Sequence, residues 1–537
     1  MTTPLAVLDA RAVRSWFEHA LRSLLLLRRE VDGLNVFPVP DADTGTNLVL
    51  TLAGAAEAVH GLETDADLST LTRAAADGAL LGARGNSGII VSQCLRALAE
   101  TFDGAREAGP ALVTRALGAA DEGARAAVGH PVEGTILSVT RAAAAAAAGA
   151  SAASGAGRGA TGLAAVVGAA SLSAREALVG TRGAHGRGVD AGGVGYVVLL
   201  TSLLDVVRGT GDAGTARAAA VSELLAGLGT AAPTAEGVPV PAAEPGDDGA
   251  GDFEVMYVLR AGAARAAALR AHLGRVGHSV AVVGWSDDAG AGLWQVHVHT
   301  DAPLSVLAEP DVMEQVCVRY LKPLLGAPVD GTERAAGASG AAGARTGVVA
   351  CTRAPGLLEP LARTGAVVVL GPGANPAGVL RAAADTGAPE VLVLPCDEHS
   401  AAVAAEAGVQ AADGRAAAHL GGRQLLHVAT TRNEIHVLAA AVEVAGAGEG
   451  RHLVEVADEA VRRTRTAELG WPDVGTELAL AGLLSPGDEL VTALLGAGAD
   501  EDSPEVVREL VAQAAPGAEV VVIQGGQAAP GLLLGAE

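Results

Sequence analysis

Hydrophobic residues recur every three to four positions through the first 210 residues of this chain. Val13, Trp16, Phe17, Leu21, Leu24 and Leu25 follow i, i+3, i+4 spacing, and similar stripes run near 68–81, 87–101, 111–128, 135–148, 161–180 and 194–208. That period predicts consecutive helices, and strand-like alternation is absent from the block. The period changes afterwards. Between 252 and 329 the runs FEVMYVL, SVAVVGW and LWQVHVHTD read as strands around a helix from Ala263 to Leu273. From 346 to 537 the apolar runs TGVVAC, AVVVLGP, EVLVLPC, QLLHVAT, DELVTALLG and EVVVIQGG alternate with helical segments, which predicts an α/β unit with a mostly parallel sheet. The stretches 231–251 and 330–345 read as linkers, the first rich in Pro, Gly and acid, the second in Gly and Ala. The expected fold is multidomain: an all-α helical barrel or bundle over 1–210, an α+β middle domain over 252–329, and an α/β C-terminal domain over 346–537. The tract 142–160 is low in complexity, and its Ala-rich first half should be helical because Ala has the highest helix propensity.

Several helices in the first block are preceded by polar, glycine-rich loops. NVFPVPDADTGTN (Asn35–Asn47) sets Asp41, Asp43, Thr44 and Thr46 at the start of an apolar helix. The aspartates are hard oxygen ligands suited to Mg²⁺, the threonines can hydrogen-bond phosphate oxygens, and Pro38 and Pro40 stiffen the approach. Backbone N–H groups of the helix's first turn would face bound phosphate. A lone DxD is more often a turn with a helix cap. GARGNSGIIVSQ (Gly82–Gln93) repeats the pattern with Gly85, Asn86, Ser87 and Gly88, and VDAGGVGYVVLL (Val189–Leu200) repeats it with Asp190. EGTILSVT places Thr135 at a further helix start, available to a nucleotide or serving as a plain cap. Loops of this kind converge on one site if their helices pack together.

In the strand LWQVHVHTD, His297 and His299 are two residues apart and so project from one face. Paired imidazoles are half of a metal site, or a packing pair. The loops CTRAPG, GPGANPAG, PCDEHS and TTRNE follow successive strands of the last block, at the ends where α/β sheets present ligand or partner sites. Cys396, Asp397, Glu398 and His399 fall in one of them and read as a loop cap.

Composition narrows the chemistry. Aromatic residues are 2% of the chain while hydrophobic residues are 50%, so the interior is built from Ala, Val and Leu. The single lysine, Lys322, follows no glycine-rich loop, which excludes P-loop and protein-kinase mechanisms that need a lysine on the phosphates. Phosphoryl transfer here must use metal ions, arginines and helix N-termini. The net charge of −24 argues against nucleic acid and against anionic membrane surfaces. The opening residues lack a signal-peptide pattern, and no apolar run is expected to span a bilayer. Cys94, Cys317, Cys351 and Cys396 are scattered without CxxC spacing, which points to a reducing cytoplasm.

The order and wording of NVFPVPDADTGTN, GARGNSG, EGTIL and VDAGG resemble the nucleotide-binding domain of the dihydroxyacetone kinase family, and more closely the ATP-binding catalytic subunit of bacterial fatty acid kinase. The resemblance extends over almost the whole chain and is most specific before residue 210. It implies that Asp41 and Asp43 hold a Mg²⁺ pair, with Asn35 near the place of a third metal aspartate. It further implies that Thr44, Thr46, Asn47, Gly85, Asn86, Ser87, Gly88, Thr135 and Asp190 contact ATP. Ala42 stands where the family usually has Gly. HVHT matches the family's histidine pair, making His297 and His299 candidates for metal binding or phosphoryl relay, and Glu254 stands where the family often has Cys, leaving a Zn²⁺ site to be tested. The implied reaction transfers the γ-phosphate of ATP to a fatty acid carboxylate presented by a separate fatty-acid-binding protein, giving acyl phosphate for phospholipid synthesis. Two alternatives stay open: a dihydroxyacetone-type kinase acting on a small polyol, and a non-catalytic ATP-binding scaffold. A homodimer is also left open. The terminal EVVVIQGGQAAPGLLLGAE resembles the closing strand-turn-strand of the family's C-terminal domain, and GPGANPAG matches a family loop through Asn375 and Pro376.

Overall fold

The computed structural model describes residues 4–34, 43–129, 131–153, 160–184, 188–210, 214–229, 251–287, 289–322, 346–412, 424–447, 452–470, 480 and 482–537. Asn35, Asp41 and Ala42 lie outside the described residues, as does most of both expected linkers. The chain divides into two compact units, one of Met1–Ala250 with Val258–Val298, the other of Gly251–Tyr257 with His299–Glu537.

The first unit contains α1 (Ala10–Asp32), α2 (Thr44–His60), α3 (Leu68–Gly82), α4 (Gly85–Thr101), α5 (Pro110–Ala126), α6 (Ile136–Ala153), α7 (Ala160–Gly180), α8 (Ala191–Arg208) and α9 (Gly214–Gly229). A short antiparallel pair, β1 (Leu8–Asp9) with β2 (Glu107–Ala108), ties the chain start to the α4–α5 connection. Helix α1 begins where the Asp9 carboxylate accepts from the Ala12 N–H at 2.8 Å, a side-chain N-cap. It buries Val13, Trp16, Phe17, Leu21 and Leu24, the stripe read from the sequence, and Trp16 Nε1 donates to the Leu199 carbonyl on α8 at 2.8 Å. With so few aromatics, helices approach closely through small residues: a Cβ on Gly78 of α3 would lie 2.2 Å from the Gly54 carbonyl oxygen of α2. The helical run extends past residue 210, since α9 buries Val221 and Ser222 Oγ donates to Glu30 of α1 at 2.9 Å.

Three helices depart from the expectation that no apolar run reaches membrane length. By length and composition, α6, Gly162–Gly180 of α7, and α8 are each long and apolar enough to cross a bilayer. Ala, Gly, Val and Leu with few charges give them that hydropathy. In α8 the same composition serves packing, with 78% of the window buried in the protein.

Strand β3 (Phe253–Arg260), helix α10 (Ala263–Val276), β4 (His278–Ser286) and β5 (Gly292–Thr300) follow, as the alternation predicts. The second unit adds β6 (Met313–Tyr320), β7 (Thr346–Thr352), β8 (Val367–Leu370), β9 (Glu390–Leu394) and β10 (Leu425–Val428), in the order β10-β9-β7-β8-β6. The first four of these are parallel, with Val349 opposite Val393 and Val367, while β6 runs antiparallel to β8. Crossover helices α11 (Leu358–Arg363), α12 (Ala377–Asp385) and α13 (Glu398–Ala412) connect the parallel strands, as parallel pairing requires. Helices α14 (Glu434–Gly446) and α15 (Leu453–Arg463) lead into a second sheet of β11 (Arg465–Leu469), β12 (Leu490–Leu495), β13 (Glu519–Gln524) and β14 (Leu532–Ala536), ordered β11-β14-β12-β13. Helix α16 (Ser503–Ala514) crosses between the parallel strands β12 and β13, and buries Val507 and Val511 with Leu495, Leu532 and Leu534.

Candidate functional site

The N-terminus of α2 is packed against the C-terminus of α1. Asp43 is its N-cap, and the Asn47 side chain reaches back one turn to donate from Nδ2 to Asp43 Oδ1 at 2.8 Å, fixing that carboxylate. The Asn47 N–H donates to the Asp43 carbonyl at 2.8 Å. The last residue of α1, Asp32, accepts both the Thr46 N–H (2.8 Å) and the Thr46 hydroxyl (3.0 Å). Burial raises the Asp32 pKa, hydrogen bonds from Thr46 oppose the shift, and the neighbouring Asp43 charge adds to it. So this helix start gathers carboxylates. Thr46 N–H does not face a phosphate, contrary to the simple expectation for a helix N-terminus, because Asp32 takes it. Thr44 and Asn47 are buried.

Helix α4 begins differently. Its N-cap is Arg84, with no side-chain cap on the first-turn N–H groups of Gly85, Asn86 and Ser87, and the backbone enters through Gly85 at φ +54°. A Cβ on Gly85 would lie 2.4 Å from Asn47 Nδ2, which places this loop directly on the α2 start. A Cβ on Gly88 would meet Thr51 Oγ1 of α2 at the same 2.4 Å. At α8, the Asp190 carboxylate caps Gly193 N–H at 2.6 Å. A Cβ on the adjacent Gly192 would stand 3.0 Å from Ser87 Oγ and 3.5 Å from Cβ of Ile136, the first residue of α6. The four helix starts thus converge. Thr135 is buried beside them, but its hydroxyl donates to the Val132 carbonyl at 2.7 Å, so it acts there as a loop cap.

A second cluster lies on strands. Glu254 of β3 and His297 and His299 of β5 are all buried, and one ligand atom from each lies within 4.8 Å of the others. His299 Nε2 is 4.0 Å from Glu254 Oε1, while Arg319 of β6 pairs with Glu254 Oε2 at 3.0 Å. Two imidazoles and a carboxylate are a donor set that suits Zn²⁺. The Arg319 pair competes for the same carboxylate.

The DAK2 domain profile matches residues 38–205, and the profile of the FakA-like middle domain of fatty acid kinase matches residues 250–311. The chain belongs to the FakA-like family of fatty acid kinases. It is similar to protein YloV of Bacillus subtilis (strain 168), with 41% identity over 137 residues, covering 26% of this chain and 25% of that protein. It is also similar to an uncharacterised protein of Staphylococcus aureus (strain USA300), with 43% identity over 114 residues, or 21% of each chain. The matched segments therefore span about a quarter or less of these relatives' lengths.

Within this kinase-type family, the converged loops belong to the DAK2 domain and the Glu254, His297 and His299 cluster to the middle domain. Three polar residues of these sites went unread in the sequence. Asp32 precedes the aspartate loop and is joined to it only through Thr46, fourteen residues away. Arg84 sits inside GARGNSG and is 3% exposed, with Nη1 donating to the Ala83 carbonyl at 2.8 Å. Arg319 enters through a strand that the hydrophobic pattern does not reveal. In the C-terminal loops, Asp397 accepts the Ser400 N–H at 2.7 Å, the cap expected there, and burial pushes the Cys396 thiol up to about 12. Arg353 Nε joins Asp397 and the fully buried Glu434 at 3.3 and 3.2 Å, tying two of these loops to the start of α14.

Proposed function

We propose that this chain is the ATP- and Mg²⁺-dependent kinase component that phosphorylates a fatty acid carboxylate held by a separate fatty-acid-binding protein. The observation that carries the reading is the convergence of helix starts with unlike chemistry: carboxylates at α2, backbone N–H groups without a side-chain cap at α4, and the capped α8 start between them. Asp43, oriented by Asn47, and Asp32 beside it are hard oxygen donors, which fits Mg²⁺. The N–H groups of Gly85, Asn86 and Ser87 fit the phosphates of ATP. When bound, Mg²⁺ neutralises charge on the transferred phosphoryl group. Asp41, adjacent in sequence, is assigned to the same metal side on the family resemblance.

In the transfer, a carboxylate oxygen of the fatty acid attacks the γ-phosphorus. The bond from that phosphorus to the bridging β-γ oxygen breaks, ADP leaves with that electron pair, and no proton need be removed from the ionised carboxylate. The chain contributes positioning and charge: the α4 N–H groups hold the phosphates, and Arg84 adds a guanidinium that stays charged at all physiological pH. The middle-domain cluster is assigned a role after nucleotide binding, as a Zn²⁺ site or a phosphoryl relay. The test incubates the protein with γ-labelled ATP, Mg²⁺ and fatty acid, with and without a fatty-acid-binding protein. Label in an acyl phosphate only when that protein is present supports the reading. Label in dihydroxyacetone instead assigns the polyol reaction, and ATP binding without turnover assigns a scaffold.

A further inference from the structure

Both hydrogens that Thr46 can donate point at one carboxylate. Its N–H goes to Asp32 Oδ1 at 2.8 Å and its hydroxyl to Asp32 Oδ2 at 3.0 Å. A threonine hydroxyl has one proton and two lone pairs. With the proton on Asp32, the lone pairs are what Oγ1 offers to anything else. A phosphate oxygen is itself an acceptor and gains nothing from them, whereas a divalent cation, or water bound to one, is matched by them.

The position of Asp32 strengthens the point. It is the last residue of α1, where the helix dipole disfavours negative charge, and it is largely buried beside a second carboxylate, Asp43. The backbone there allows no slack, because a Cβ on Gly45 would lie 2.3 Å from the Arg28 carbonyl oxygen and 2.9 Å from Asp32 Oδ1. A cation held next to Asp43 relieves the repulsion between the two acids.

We propose that Asp32 is a positioning residue that turns the Thr46 hydroxyl into an acceptor, so that Thr46 serves the metal ion and not the phosphates. The proposal rests on the nucleotide–metal reading of the α2 and α4 starts. It reverses the assignment of Thr46 as a phosphate donor, and it leaves phosphate recognition to the α4 loop.

The test measures Mn²⁺ binding by electron paramagnetic resonance in the presence of ADP, and ADP affinity in EDTA by calorimetry, on the full chain. Thr46→Val should weaken Mn²⁺ about tenfold and leave metal-free ADP affinity within about twofold, and Thr46→Ser should restore Mn²⁺ binding. Asp32→Asn keeps an acceptor for the Thr46 N–H but presents an amide donor to its hydroxyl, so it should weaken Mn²⁺ as Thr46→Val does, although the hydroxyl remains. Thermal melts establish that each variant is folded, and if Asp32→Asn is not, the two Thr46 variants decide the metal role. Loss of metal-free ADP affinity in Thr46→Val with Mn²⁺ binding intact overturns the proposal, as does wild-type Mn²⁺ affinity in a folded Asp32→Asn. Wild-type protein that binds neither ADP nor Mn²⁺ overturns the underlying nucleotide–metal reading, and the proposal with it.

Discussion

Asn47 of α2 occupies the space that a side chain at position 85 of α4 would need: its Nδ2 lies 2.4 Å from where a Cβ on Gly85 would stand. The aspartate loop and the GARGNSG loop are therefore locked together at backbone distance, through a glycine whose φ of +54° already disfavours any other residue. Gly85→Ala should displace Asn47, release its hold on Asp43, and destabilise the protein by about 1–3 kcal/mol. ATP affinity should fall at least about tenfold, measured by calorimetry on folded protein. Unchanged affinity with an unchanged melting temperature counts against the junction.

Arg84 is a buried, permanently charged group at the phosphate-facing helix start. Arg84→Met should weaken ATP binding and lower turnover by about two orders of magnitude, in the range seen for single groups that stabilise transition-state charge. Arg84→Lys keeps the charge without the planar fork and should recover only part of the loss. Equal kinetics for wild type and Arg84→Met would assign the guanidinium to packing alone.

Asp77 of α3 accepts a hydrogen bond from Trp285 Nε1 of β4 at 3.0 Å, and burial raises its pKa above the ordinary carboxylate value despite that bond. A carboxyl with a higher pKa in the native than in the unfolded state binds more protons when folded, so its contribution to stability falls as pH rises from its ordinary value through the raised one. Asp77→Asn keeps the acceptor for Trp285 and removes this dependence. The difference in melting temperature, variant minus wild type, should grow from pH 4 to pH 7; a difference independent of pH refutes the assignment.

The helices of the first unit were legible because their apolar stripes are long and periodic, and α3, α4 and α8 begin and end within a few residues of the expected bounds. Strands β6 and β11 were not. MEQVCVRY carries Glu, Gln and Arg among its apolar positions and takes a positive φ at Gln315, and RTAEL is five residues with three polar side chains. The polar loops announced the site, but the division of labour within it was hidden, because Asp32 and Thr46 meet only when α1 turns back onto α2. The same holds for Arg319, whose pairing with Glu254 joins strands about sixty residues apart in sequence.

His297 and His299 are buried, so chemistry and packing make different forecasts for them. His297→Ala and His299→Ala should each depress phosphoryl transfer to the acyl substrate while ATP affinity stays unchanged. Metal analysis of the purified protein should find zinc in the wild type and lose it in either variant and in Glu254→Gln. Full transfer activity in both histidine variants removes the cluster from the mechanism, and a lowered melting temperature with normal transfer per folded molecule assigns it to the core.

The central claim is that the converged helix starts form an ATP–Mg²⁺ site, and calorimetric titration of ATP into the wild type and Asp43→Ala, each with and without Mg²⁺, tests it most directly. The account predicts that Mg²⁺ strengthens ATP binding in the wild type and no longer does so in the folded Asp43→Ala protein. ATP binding that is absent in the wild type, or equally Mg²⁺-dependent in both proteins, contradicts it.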